Sequence, residues 1–79
     1  MNPENIKEMI ENGLATFYVK VDGDGSHFEA IVVSDEFKDK MLIERHKLVY
    51  GALGDAMKEK IHALSMKTLT VEQWENINK

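Results

Sequence analysis

Residues Thr16 to Val21 alternate with a period of two, Phe17, Val19 and Val21 on one side and Tyr18 and Lys20 on the other. Residues His27 to Val33 form a second strand whose end, Ala30-Ile31-Val32-Val33, is apolar on both faces and so belongs inside a sheet. Asp22-Gly23-Asp24-Gly25 separates the two, and both of its glycines are free to take positive φ. The pair reads as a β-hairpin with the loop Asp22 to Ser26 at its tip.

Helical spacing surrounds the hairpin. Asn2-Pro3 reads as an N-cap and first helical residue, and Ile6, Met9, Ile10 and Leu14 share one face up to a stop at Gly13. This predicts a helix over residues 3–13. From Met41 onward, Leu42, His46, Val49, Leu53, Met57 and Ile61 recur at steps of three and four. Gly51 and Gly54 interrupt that stripe, which predicts two helices, 41–50 and 52–60, with a turn near Gly51. His62 to Leu69 reads as a third strand, with His62, Leu64, Met66 and Thr68 on one face. Thr70-Val71-Glu72-Gln73 is a capping box opening a last helix with Trp74 and Ile77. The order is αββααβα, an α+β arrangement in a single domain over residues 1–79.

Seventy-nine residues bury only about 60–65% of their unfolded surface, which leaves one modest core and little room for an enclosed substrate pocket. There is no cysteine, so the chain has neither a disulfide staple nor thiolates for a metal. With no signal-like start at Met1-Asn2-Pro3-Glu4 and no long apolar run, an intracellular, cytoplasmic protein is expected, off the membrane and monomeric when isolated. The net charge of −4 weighs against general nucleic-acid binding. That charge resides entirely in residues 1–34, and Lys38, Lys40, Arg45 and Lys47 meet only Asp39 and Glu44 nearby, so a local basic patch is compatible with it.

No catalytic constellation stands out, and the chain reads as a binding protein, not an enzyme. Ser26 and His27 are adjacent, but neighbours in a strand point to opposite faces. No phosphate loop, nucleophile elbow or paired-histidine zinc motif occurs. His46, on the apolar stripe, reads as a partly buried, hydrogen-bonded helix residue. His27 leaves the hairpin loop and His62 opens the third strand, and together they form a candidate metal-ligand pair. Two imidazoles fill half of a four-coordinate shell, so another molecule must complete it. Gly51-Ala52-Leu53-Gly54 has the GxxG spacing that lets KH domains approach a nucleic-acid backbone. Its central Ala-Leu carries no cation for phosphate, and a helix–helix turn with Leu53 in the core is the favoured reading.

The string Glu44-Arg45-His46-Lys47-Leu48-Val49-Tyr50, with Leu53, then Ile61-His62-Ala63-Leu64, then Thr70 through Glu72 to Trp74, resembles the BolA family. Gly23-Asp24-Gly25-Ser26-His27-Phe28 resembles the hairpin loop of its shorter bacterial members, and Val33-Ser34-Asp35-Glu36-Phe37 its strand end. The resemblance runs from about residue 5 to 76; Val71 stands where the family usually has Pro. It implies a class II KH-like fold, with a three-stranded sheet and helices packed on one side. It also implies a complex with a monothiol glutaredoxin that shares a bridging 2Fe–2S cluster. There the partner and its glutathione supply thiolates, and His62 with His27 supply the remaining ligands. Histidine in place of cysteine raises a cluster's potential, which suits holding or passing on a cluster or sensing iron. A second implied activity is DNA-binding transcriptional regulation through the helix-turn-helix region, with Arg45, Lys47, Lys58 and Lys60 as contacts.

Overall fold

The computed structural model of the protein describes residues 2–59, 61 and 63–78. Its elements are α1 (Pro3–Gly13), β1 (Tyr18–Gly23), β2 (His27–Val33), a 3-10 turn (Asp35–Phe37), α2 (Leu42–Leu53), α3 (Ala56–Glu59), β3 (Ala63–Leu69) and α4 (Val71–Ile77). The sheet order is β1-β2-β3. β1 runs antiparallel to β2, and β3 runs parallel to it. Parallel neighbours require a long crossover, which α2 and α3 provide. The expected α+β order and three-stranded sheet are thus present.

α1 begins as expected: the Asn2 side-chain oxygen accepts from the Asn5 amide at 2.9 Å. It also ends at Gly13, as expected. Gly13 is followed by Leu14 in extended conformation, not by a left-handed stop. Gly13 is glycine because α2 passes so close that a Cβ there would lie 2.7 Å from the Ala52 Cβ. α2 likewise runs through Gly51 and ends at Leu53, so the break lies at Gly54 and not near Gly51. Gly54 has φ +56°, the left-handed conformation that glycine tolerates, and its amide donates to the Tyr50 carbonyl. Leu53 is in the core, as a helix–helix turn requires.

The core lies between the helices and one sheet face. Ile6 and Ile10 from α1, Val49 and Leu53 from α2, and Val19, Phe28, Ala30 and Val32 from the strands form one cluster. Leu64 and Met66 of β3 pack against it, and Thr68 on the same side is buried. Ser34 closes the corner after β2. Its hydroxyl donates to the Ala15 carbonyl and accepts from the Glu36 amide, while the Glu36 carboxylate accepts from the Ala15 amide. That corner seats fully buried Phe37 under α2.

α4 adds a detail to the one-sided packing. Tyr18 alternates with buried Val19 and so lies on the face opposite the core, where its ring stacks on Trp74 at 4.8 Å between centroids. Trp74 therefore covers part of that second face, to which fully buried Val33, the strand partner of Tyr18, also belongs. Thr70 and Gln73 form the expected capping box, so Val71 leaves the helix start intact.

Candidate functional site at the hairpin tip

β1 and β2 close on the pair Asp24 and His27, with Gly25 and Ser26 between them; the Asp24 amide donates to the His27 carbonyl at 3.2 Å. Gly25 has φ +98° and Ser26 does not share that sign, which fits a tight turn with glycine at its first central position. Gly23, expected to take positive φ, instead belongs to β1. A side chain there would collide with the Phe28 ring, whose nearest carbon lies 2.4 Å from where a Cβ would sit.

The Asp24 carboxylate organises the tip. Its Oδ1 accepts from the His27 amide at 2.8 Å and the Ser26 amide at 2.9 Å. The His27 amide first, and then the Ser26 amide, hold its carboxyl below the usual aspartate value. From the sequence Asp24 reads only as a turn residue. A signal for more is present, because aspartate two residues before a serine in a turn is the pattern of a side chain closing on its own backbone.

The whole tip from Asp22 to His27 is exposed. His27 alternates with Phe28, which fills the core, so its imidazole belongs to the open side of the sheet. In the parallel pairing His27 stands opposite Ala63, the residue that follows His62 in the chain. His62 itself, Lys60 and the side chain of Lys58 lie outside the described residues. Among the described residues, no group of three or more histidine, cysteine or acidic side chains is placed to hold a metal ion.

The other candidates separate. Arg45 was expected to meet nucleic acid, but its Nε donates to the Lys40 carbonyl and its Nη1 to the Thr68 carbonyl and to Gln73 Oε1 at 2.9–3.1 Å. Its guanidinium also lies 5.9 Å from the centre of the Phe37 ring. Arg45 thus ties together the start of α2, the end of β3 and the α4 cap, and those donors are spent on the fold. Lys47, Lys38 and Lys40 are exposed. His46 is half-buried and meets the Tyr50 ring edge-on, yet its Nε2 is buried with no hydrogen-bond partner, contrary to the bonded residue expected. No helix among the described residues is long and apolar enough to cross a membrane.

Comparison with known proteins converges on one family. A sequence model described as BolA-like protein matches residues 7–73. The acid stress protein IbaG of Escherichia coli (strain K12) is 35% identical over 75 residues, covering 94% of this chain and 89% of that protein. The DNA-binding transcriptional regulator BolA of the same organism is 34% identical over 55 residues, covering 70% of this chain and 52% of that protein, about half its length. A solved BolA homologue from Coxiella burnetii superposes with a TM-score of 0.83 at 42% identity, covering 95% of this chain and 97% of that one. With the capped α4, the buried Phe37 corner and the αββααβα order all in place, the chain belongs to the BolA family.

Proposed function

We propose that this protein is an iron–sulfur adaptor that binds a monothiol glutaredoxin and co-ligates a bridging 2Fe–2S cluster. The observation that carries the reading is the exposed His27 imidazole at the end of the sheet where β2 and β3 start in register, His27 opposite Ala63. His62 precedes Ala63 in the sequence, which supports reading these two of the three histidines of a cysteine-free chain as its ligand pair. The donor set fits part of a shell and no more: neutral imidazoles, no thiolate, and no third ligand gathered among the described residues. Thiolates from the partner and its glutathione would complete it, with His27 and His62 as this chain's ligands and a correspondingly raised potential.

The test mixes the protein with a monothiol glutaredoxin, glutathione, iron and sulfide and records visible circular dichroism. A mixed-complex spectrum distinct from that of the glutaredoxin alone is expected, and His27→Ala and His62→Ala should each remove the difference. An unchanged spectrum for His62→Ala would refute the ligand assignment. Retained glutaredoxin binding without cluster in the double variant would make the protein an adaptor that uses no metal.

DNA binding is the second reading. Similarity to the Escherichia coli DNA-binding transcriptional regulator and the exposed Lys38, Lys40 and Lys47 around α2 favour it. A gel-shift titration at two salt concentrations tests it, because phosphate contacts make affinity fall steeply with salt. No shift at low salt removes this reading.

A further inference from the structure

β1 is an edge of the sheet, with β2 on one side only. The Asp24–His27 closing bond fixes which backbone groups it leaves free. In an antiparallel pair, bonded positions alternate, and Asp24 opposite His27 is a bonded position. Counting back along the uniform register, Asp22, Lys20 and Tyr18 bond to β2, so Val19, Val21 and Gly23 turn their N–H and C=O groups outward. The Ser34 amide, which donates to the Leu69 carbonyl, confirms the phase from the other side of β2. Beside this edge runs a groove of about 260 Å³ between α1 and β1, lined by Pro3, Glu4, Lys7 and residues 18–21. A free edge with a groove beside it is a template for an added strand.

We propose that the added strand is β1 of a second copy of this chain, paired antiparallel about a two-fold axis at Val21. The charge pattern selects both the occupant and the register. Lys20 and Asp22 lie on the open sheet face, 3.7 Å apart. An axis at Val21 sets each Lys20 directly across from the partner copy's Asp22, so four charges alternate in a square and each has two neighbours of opposite sign. An axis at Lys20 or at Asp22 sets like charges face to face, which destabilises a strand pair. An axis at Val19 leaves Lys20 across from Tyr18 and both Asp22 carboxylates unpaired. On the other face Val21 meets its own copy beside the groove, and Gly23 brings no side chain across from Val19. The resulting contact is isologous and closes as a dimer with one continuous six-stranded sheet. This departs from the monomer expected from the sequence, and it is independent of the metal reading at His27.

Sedimentation velocity tests it. A strand-only contact is small, so the mass should rise from 9.0 kDa toward twice that value between about 10 µM and about 1 mM, less so at high salt. Lys20→Asp and Asp22→Lys should each weaken self-association by about tenfold, because each creates two like-charge pairs. Mixed in equal amounts, the two variants should associate with each other. One then presents two carboxylates on this face and the other two ammonium groups, and the same register sets each carboxylate across from an ammonium. The double exchange, Lys20→Asp with Asp22→Lys, should restore self-association. All of these substitutions are on exposed side chains outside the core, so the variants fold. A wild-type chain that stays at 9.0 kDa throughout overturns the proposal and leaves the edge to a strand from another protein. Self-association that ignores both single substitutions overturns it as well.

Discussion

Arg45→Ala separates a structural arginine from a nucleic-acid contact. The substitution removes three charge-assisted hydrogen bonds and the guanidinium beside Phe37. Lys40 and Gln73 are exposed, so water replaces the lost donor there at a cost of at most a few tenths of a kcal/mol each. Thr68 is only 4% exposed, and a carbonyl stranded in such a place costs about 1–3 kcal/mol. Loss of the cation over the Phe37 ring adds about 0.5 kcal/mol. The expected total is about 1.5–4 kcal/mol. With an m-value of about 1 kcal/mol per molar urea for a chain this short, the midpoint should fall by roughly 1.5–4 M. The melting temperature should fall by at least roughly 6 °C. Trp74, the single tryptophan, is stacked on Tyr18 and reports the transition by fluorescence. Arg45→Lys should recover little, because a point charge cannot serve three acceptors set in a fork. Stability within about 0.5 kcal/mol of wild type, together with lost DNA affinity, would refute the structural assignment.

Three other perturbations probe the glycines, the core and the tip. Gly13→Ala should destabilise by about 1–3 kcal/mol in urea unfolding despite alanine's better helix propensity, because the new methyl meets Ala52 at 2.7 Å; a neutral or stabilising result would mean that α1 and α2 can part freely. Phe28→Ala, with 1% exposure and a ring against Gly23, should cost about 3–5 kcal/mol, and a smaller loss would show that the tip collapses into the space. The Asp24 carboxyl is held down by the His27 and Ser26 amides, so its contribution to the turn is present above its unfolded value of 3.8 and lost as pH falls through the depressed folded value. In an NMR titration those two amide resonances should move together at that lower pH, and Asp24→Ala should abolish the shared transition.

The elements are legible wherever a local rule decides them. Period-two alternation finds β1, two residues early at Thr16–Val21, and β2, and the Thr70–Gln73 box locates the start of α4. Errors arise where a long-range neighbour decides the residue. Gly13 and Gly23 both read as backbone punctuation, yet each is glycine because a side chain from elsewhere, Ala52 or Phe28, occupies the place of its Cβ. The α2 break is misplaced for a related reason: two glycines interrupt the stripe, and only the tertiary path decides which one turns. Arg45 looks like a surface cation because its acceptors at Thr68 and Gln73 are more than twenty residues away in sequence. At the candidate site, the position of His27 is legible from the turn, and the start of β3 beside it is a matter of parallel register. Period and spacing carry no information about register between strands separated by a two-helix crossover.

The hairpin tip and the core divide the work of this small fold. Phe28 anchors the base of the tip in the cluster under α1 and α2, while every residue from Asp22 to His27 faces water. A segment so exposed gains almost nothing from burial, so its conformation rests on local hydrogen bonds and on the glycine that permits the turn. Asp24 supplies two of those bonds, and one goes to the amide of His27 itself. The backbone that carries the imidazole is therefore held by a neighbouring carboxylate and not by packing. Such an arrangement leaves the ring accessible from outside while fixing the backbone that bears it. Asp24→Ala should accordingly leave the urea-unfolding midpoint unchanged, since exposed turn bonds contribute little, yet weaken any ligand held through His27. Equal loss of stability and of ligand binding would place the tip within the cooperative core and remove the distinction.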